Sequence, residues 1–371
     1  MWNYDDVNFV NIELSSLCNS ICAWCPRYED MSSVVNKQLT PTYITFDQFK
    51  DWFPADFCAR IDNWTCSGDY GDAGTNPDLL LILDYVLTQN PEASVHLNTN
   101  GGMRNSKWWG ELGELFSHRE QRKMIFSIDG LEDTNHLYRR NVKWDKVMEN
   151  AGAFIDNGGN AYWDFLIFKH NEHQVADVKY LACEMGFLDV TVKYPRGFEK
   201  GNMQVKDADY NVLYELEPID ESYIQNTYPA TPPNYKAEDV QYITIKESVE
   251  TLHAETPGDI ECFSHRNGVE IRIAADGTVY PCVHFGHLSK HPRPKQLFPK
   301  AQMIDIFKDK RLSLHDRSLK EILADDPYKW VHDSWESKSC VVCWENCGVS
   351  KEKKSVMEQI YQNEGKIHGT V

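Results

Sequence analysis

The sequence predicts an α/β fold: a partial (βα)6 TIM-like barrel, followed by a small C-terminal domain built from a β-hairpin plus helix. Three observations predict it. Short apolar segments alternate with helical ones through the first half of the chain, the rhythm of a parallel sheet with right-handed crossovers. Cysteines, Gly-Asp turns and Asn-Gly pairs stand where those segments end, and in such sheets function collects at the carboxyl ends of the strands. Beyond residue 195 the rhythm stops, and a second group of cysteines gathers around a hairpin pattern.

Residues 8–14 read as the first strand, because Val10-Asn-Ile-Glu-Leu14 alternates apolar and polar. Ile44–Phe53 carries apolar residues at helical spacing, with Thr45 as N-cap. Arg60–Cys66 is the second strand, Ser67–Asp72 a tight turn, and Pro77–Leu87 a helix. Val95–Asn98 is the third strand and ends in Thr99-Asn-Gly-Gly102. Lys123–Asp129 is the fourth and ends in Gly130, and Ala161–Phe168 is the fifth. Val178–Met185 reads as a helix and Asp189–Lys193 as the sixth strand.

A chain of 371 residues has room for one and a half to two compact domains. The expected boundaries are 1–195 for the barrel, 196–260 for a bridging segment, 261–350 for the cysteine-bearing domain and 351–371 for a polar tail read as a closing helix. A formal charge of −18 argues against a nucleic-acid partner, which needs a basic footprint. No apolar run is long enough to span a membrane, and the N-terminus lacks the pattern of a signal peptide, so the chain reads as cytoplasmic. Its 11 cysteines are clustered, which favours metal or cluster ligation over a disulfide framework. Cys58, Cys66 and Cys183 fall outside the clusters and read as small buried hydrophobes.

Cys18, Cys22 and Cys25 follow the first strand with spacing C-x3-C-x2-C. Thiolates select zinc, copper(I) or iron–sulfur clusters. Structural zinc takes four protein ligands and usually arrives as two C-x2-C halves, whereas this run stops at three. A [4Fe–4S] cluster on three cysteines keeps one iron open to a substrate or cofactor. A zinc knuckle with a distant fourth ligand, or three buried thiols, is the alternative.

The run resembles the C-x3-C-x-aromatic-C signature of the radical S-adenosylmethionine (radical SAM) superfamily, with Trp24 at the aromatic position. The resemblance implies that Cys18, Cys22 and Cys25 hold a [4Fe–4S] cluster whose open iron is chelated by the methionine part of S-adenosylmethionine. An electron then cleaves the sulfonium to methionine and a 5′-deoxyadenosyl radical. It also implies a reductant of flavodoxin or ferredoxin type. Further motifs extend the likeness. Gly68-Asp-Tyr-Gly71-Asp72 looks like the family's Gly-Gly-Glu motif, which meets the methionine amino group; Asp72 is one methylene shorter than the commoner Glu. Thr99-Asn100 resembles the strand end that reaches the ribose hydroxyls. Ser127, with Arg139 twelve positions on, matches the pair that binds the carboxylate of S-adenosylmethionine, and a guanidinium fork suits that task. Arg140 is the neighbouring alternative.

His170 and His173 have no third ligand nearby in sequence; Asn171 reads as an N-cap and His170 as a substrate-facing group. The bridging segment is turn-rich, and the prolines of Tyr228–Tyr235 exclude regular helix or central strand. It is expected to pack over the open side of the barrel. After it, Ile271 and Ile273 alternate in a strand, Asp276-Gly277 makes a hairpin turn, and Val279 starts the return. Cys262 lies on the approach, Cys282 at the far end, and Cys340, Cys343 and Cys347 follow as C-x2-C-x3-C.

This second group resembles the auxiliary-cluster domains called SPASM and, in shortened form, twitch. Cys262, Gly277 and Cys282 fit the opening pattern. Five cysteines support one extra [4Fe–4S] cluster, on Cys262, Cys282 and two of Cys340, Cys343 and Cys347. Twitch precedent favours Cys340 and Cys343; the glycine after Cys347 matches a SPASM cysteine. A structural zinc ribbon is the alternative. The domain pair is shared by enzymes that modify ribosomal peptides, mature sulfatases and oxidise aminocyclitols. Sulfatase-maturating relatives place an aspartate directly after the cysteine matching Cys282, where this chain has Val283 and then His284. The expectation is peptide or protein modification or two-electron oxidation; dehydrogenation of a small sugar-like metabolite, or a non-catalytic zinc-stabilised module, are the other readings. Tyr194, His170, His284 and Tyr280 are the conceivable proton-transfer groups.

Overall fold

The computed structural model describes residues 2–117, 119–198, 201–219, 259–265, 268–292, 310–337, 339–340, 342–343 and 347–349. Tyr228–Tyr235 and the tail 351–371 lie outside the described residues. The chain forms two compact units. The larger takes the described residues of 11–219 with 274–276, and the smaller takes those of 2–10, 259–273 and 277–349.

In the larger unit, strand β1 (Val7–Ile12, which begins in the smaller unit) is followed by β2 (Ile21–Cys22), α1 (Phe46–Trp52), α2 (Ala55–Ala59), β3 (Asn63–Cys66) and α3 (Leu79–Gln89). Next come β4 (Ser94–Thr99), α4 (Ser106–Phe116), β5 (Arg122–Ser127), α5 (Asn135–Tyr138), β6 (Arg139–Arg140) and α6 (Trp144–Asp156). Then follow β7 (Ala161–Leu166), α7 (Val175–Met185), β8 (Asp189–Lys193), β9 (Met203–Lys206) and β10 (Val212–Leu216). Hydrogen-bonded neighbours run β1-β3-β4-β5-β7-β8, and the pairings from β3 to β8 are all parallel. The six expected strands are these six, in sequence order once the short β2 and β6 are set aside.

Burial alternates strictly along β3, β4, β5 and β7. The buried set includes Trp64, Leu97, Phe126 and Trp163. Trp109 of α4 packs on Phe126 at 5.3 Å between ring centroids, and Phe154 of α6 at 6.0 Å, so this is the helix-covered face. The other face carries Thr65, His96, Asn98, Lys123, Ser127 and Asp164 beside Ile125, Tyr162 and Leu166, and is only half-buried. Parallel sheets are normally apolar and buried on both faces. This half-open face, with its polar residues, departs from that pattern.

Thr45 caps α1 with a full capping box to Gln48, as expected. Helices α2, α4 and α6 were not among the elements expected from sequence. In α4 the interior glycines Gly110 and Gly113 weaken the helical signal, yet Gly113 is required. A Cβ at Gly113 would lie 2.4 Å from the Phe154 carbonyl oxygen of α6. The hairpin β9–β10, antiparallel with a bulge between Val212 and Tyr214, was likewise read only as turn-rich chain.

In the smaller unit, β11 (Asp259–Ile260) pairs with β14 (Gly348–Val349), and β12 (Val269–Ile273) with β13 (Val279–Tyr280), each antiparallel. Gly277 sits at φ +77° in the expected turn. Every residue of β12 is buried, Glu270 and Arg272 included, so the strand has two covered faces instead of the expected alternation. Asn8 Oδ1 accepts from Val269 N at 3.0 Å, and Trp2 Nε1 donates to the carbonyls of Glu270 and Pro281, both at 3.1 Å. The helices Val283–Ser289, Leu319–Leu323 and Asp326–Ser337 complete the described part of the unit.

Candidate functional site

The loop after β1 is held from several directions. Arg27, 6% exposed, donates from Nη1 to the carbonyls of Ser16 and Tyr70. Tyr28 Oη donates to Ser20 O at 2.8 Å. The short strand β2 pairs with β6, setting Cys22 opposite Arg139. Each sulfur lies beside donors. Ser20 N approaches Cys18 Sγ at 3.4 Å, Arg27 N approaches Cys25 Sγ at 3.4 Å, and Arg139 Nη1 approaches Cys22 Sγ at 3.5 Å. Burial first, and then the Asp72 carboxylate and the other two thiols, push the Cys18 thiol well above its usual range. Burial pushes Cys25 up to about 12.

Among the described residues, no three His, Cys, Asp or Glu side chains group tightly enough for a single metal ion. The fit of a polynuclear group rests on the donor set. Three cysteine sulfurs gathered in one loop, each beside an N–H donor, suit a positively charged group that takes sulfur as thiolate.

The Gly-Asp turn is built against this loop. A Cβ at Gly71 would lie 2.0 Å from the Ser15 carbonyl oxygen, and one at Gly68 would lie 1.9 Å from that of Gly71, so both positions need glycine. Glu13, buried at 3% exposure, accepts from Tyr70 N at 2.7 Å and Gly71 N at 3.0 Å. Asp72 N donates to Leu17 O at 2.8 Å. The Asp72 carboxylate accepts from Gly74 N (3.0 Å), Thr99 Oγ1 (3.1 Å), Asn100 N (2.8 Å) and Asn100 Nδ2 (2.9 Å). Burial raises its carboxyl above the usual range against the pull of those donors. Asn100 Nδ2 also reaches Asn19 Oδ1 at 2.8 Å and Cys18 Sγ at 3.7 Å. Asp72, Thr99 and Asn100 thus form one knot that touches the cysteine loop.

Arg139 Nε donates to Asp129 Oδ2 at 2.5 Å, and Asp129, fully buried, also accepts from Leu166 N at 2.7 Å. Burial alone would lower the Arg139 pKa, but the Asp129 carboxylate and the Cys22 sulfur hold it above the usual value. Among the described residues, Arg139 Nη2 and the Ser127 hydroxyl have no hydrogen-bond partner. Arg140 is placed differently: its guanidinium donates to the carbonyls of Ile21, Lys206 and Ser32. It clamps backbone.

Over the loop lies an apolar cluster of Cys22, Ala23, Tyr138, Phe168, Met203, Val205 and Leu216, with Trp24 and Cys25 packed against it. The β9–β10 hairpin therefore covers the cysteine loop. Gly197, at φ +104°, lies flat on the Trp24 ring; a Cβ there would sit 2.4 Å from ring carbon. His170 stacks on Phe168 at 5.2 Å, and both its ring nitrogens are buried without a partner. Burial, then nearby His136 and His173, depress its pKa to about 4. Asn171 does stand at the start of a 3-10 turn, but its side chain makes no cap; it accepts from Phe168 N and donates to Asp129 O. Sequence reading passed over Glu13, Asn19, Arg27 and Asp129; a carboxylate directly after β1, within the alternation Val10–Leu14, was the available signal for Glu13.

In the smaller unit, one cavity is lined by Cys262, Cys282, Cys343 and Cys347, together with Trp2, Phe263, His284 and Phe285 among others. Cys340, fully buried, does not line it. A hydrogen bond with Cys347, and then burial, raise the Cys262 thiol, and burial pushes Cys282 up to about 12. Four cysteines around one cavity, Cys343 buried and the other three half-buried, fit a cluster that takes four thiolates.

No family model matches the sequence, and no curated protein matches it. Its backbone, however, matches solved structures. One is SuiB of Streptococcus suis bound to S-adenosylmethionine, at TM-score 0.51 and 14% identity over 91% of this chain and 72% of that one. SuiB bound to its precursor peptide SuiA matches at TM-score 0.51 and 14% identity, over 91% of this chain and 70% of that one. Native anSMEcpe with bound AdoMet matches at TM-score 0.52 and 16% identity, over 92% of this chain and 88% of that one. At such identity the likeness is one of fold: this chain has the mixed α/β fold, with its parallel sheet, of these AdoMet-bound proteins. It is the fold expected from the radical SAM resemblance.

Proposed function

We propose that the chain is a radical SAM enzyme that modifies a peptide or protein, or carries out a two-electron oxidation, by abstracting hydrogen from a substrate carbon. The trio Cys18, Cys22 and Cys25 carries this reading, with its N–H donors at the carboxyl end of β1. When bound, a [4Fe–4S] cluster with one open iron supplies reductive cleavage of S-adenosylmethionine to methionine and a 5′-deoxyadenosyl radical. The three cysteines would give the thiolates, and the surrounding donors stabilise anionic sulfur. Arg139, neutralised along its Nε edge by Asp129, has Nη2 left for a carboxylate, with the Ser127 hydroxyl as its companion. Because Thr99 and Asn100 occupy the Asp72 oxygens, Asp72 would act on an ammonium group as a fixed negative charge, and the turn carbonyls would make the direct contacts. The β9–β10 hairpin and Trp24 would keep water from the loop. The half-open polar face of the sheet is where a substrate would lie. A peptide substrate draws support from the shared fold with SuiB, which has been solved with a precursor peptide bound.

The cysteines of the smaller unit would hold one auxiliary [4Fe–4S] cluster. A reductant of flavodoxin or ferredoxin type would supply the electron, in the cytoplasm. Anaerobically reconstituted protein should carry about eight irons and eight sulfides per chain. It should release 5′-deoxyadenosine from S-adenosylmethionine under dithionite, and Cys22→Ala should abolish that release. Iron-loaded protein that releases none removes the catalytic claim; a colourless zinc protein favours the binding-module reading.

A further inference from the structure

Two facts about the backbone bring Cys262 and Cys347 together. The β11–β14 ladder pairs Ile260 with Gly348, and Glu261 N donates to Cys347 O at 3.0 Å, which sets the two cysteines at the same end of one short ribbon. Cys282 ends the β12–β13 hairpin, at the N-cap of the helix Val283–Ser289. These three thiols and Cys343 open onto a single cavity. Cys340 does not line that cavity; it is fully buried and hydrogen-bonds with Cys343 and with Ser334 of the helix Asp326–Ser337.

We infer that the auxiliary cluster of the proposed enzyme is held by Cys262, Cys282, Cys343 and Cys347, and that Cys340 is not a ligand. The inference rests on the auxiliary-cluster reading given above and narrows it. It departs from the sequence expectation, which favoured Cys340 and Cys343. Four protein thiolates leave no iron open, so such a cluster passes electrons and does not anchor a substrate through iron.

The test uses the full-length chain with Cys18, Cys22 and Cys25 all changed to Ala, so that only the second cluster is counted. After anaerobic reconstitution this background should hold about four irons per chain. Adding Cys340→Ala should leave that count and the reduced electron paramagnetic resonance signal in place. Adding Cys347→Ala should abolish the four-iron signal. Far-UV circular dichroism, and Ser in place of Ala at each position, separate ligand loss from misfolding. Cyanide should leave the signal of the parent background unchanged, because no iron is open to it. Iron lost with Cys340→Ala, iron kept with Cys347→Ala, or a signal shifted by cyanide would each overturn the assignment. A background that binds no iron at all would instead remove the auxiliary cluster itself.

Discussion

Replacing Arg139 with Met tests the buried ion pair beside the cysteine loop. Asp129 is fully buried, and its charge is met by Arg139 Nε at 2.5 Å and by one backbone donor, Leu166 N at 2.7 Å. Removing one partner of such a pair usually costs about 3–5 kcal/mol, because the other charge stays buried and uncompensated. Uptake of a proton by Asp129, whose carboxyl burial already raises, limits the loss to about 3 kcal/mol near neutral pH. For a unit of this size that lowers the melting temperature by roughly 6–12 °C. The loss should depend on pH in a defined direction. A buried carboxyl with a raised pKa binds its proton more tightly folded than unfolded, so stability falls as pH rises from the unfolded value, about 3.9, through the folded one. The gap between wild type and variant should therefore be smaller at pH 5 than at pH 7.5. Anaerobic calorimetry at both values measures it, and Asp129→Asn in the same chain should recover part of the loss through the coupling of the pair. A loss under about 1 kcal/mol, or one independent of pH, refutes the claim that the pair is desolvated and mutually compensated.

The other perturbations probe the same neighbourhood. Gly197→Ala combines a left-handed backbone with a methyl driven into the Trp24 ring; urea unfolding should register a loss of about 2–4 kcal/mol, and a change under about 0.5 would mean the loop does not rest on Trp24. Glu13→Ala leaves the amides of Tyr70 and Gly71 without their acceptor, for an expected loss of about 2–4 kcal/mol in the same assay; a neutral result would detach Glu13 from the turn. His170 is depressed to about 4 from 6.5, so the unfolded chain binds more protons between those values and stability falls on acidification through that window. The full shift corresponds to about 3 kcal/mol, and partial solvent exposure reduces it to about 1–2. His170→Gln should flatten the stability curve between pH 4 and 6.5, and an unchanged slope contradicts the burial of the ring.

The strands were legible because they end in residues that break the apolar alternation, and the cysteine spacing was legible because thiolates are scarce and their pattern is local. The knot around Asp72 was not. Its donors come from Gly74, Thr99 and Asn100, three points on two connections, and nothing in sequence spacing says that Thr99 turns toward Asp72 and not toward a ligand. The same limit applies to Cys262 and Cys347, which are brought together by a two-residue ladder too short to leave a periodic signal. Helix α4 was hidden by Gly110 and Gly113, residues that disfavour a helix locally but let α4 approach α6. The hairpin over the cysteine loop was hidden by strands of four and five residues.

The most direct test of the central claim is the electron paramagnetic resonance spectrum of the reduced, iron-loaded chain, recorded before and after S-adenosylmethionine is added. If Cys18, Cys22 and Cys25 leave one iron open, the nucleotide shifts the signal of that cluster, and Cys22→Ala loses both signal and shift. A spectrum indifferent to S-adenosylmethionine, or zinc bound at those three sulfurs where iron is expected, contradicts the account.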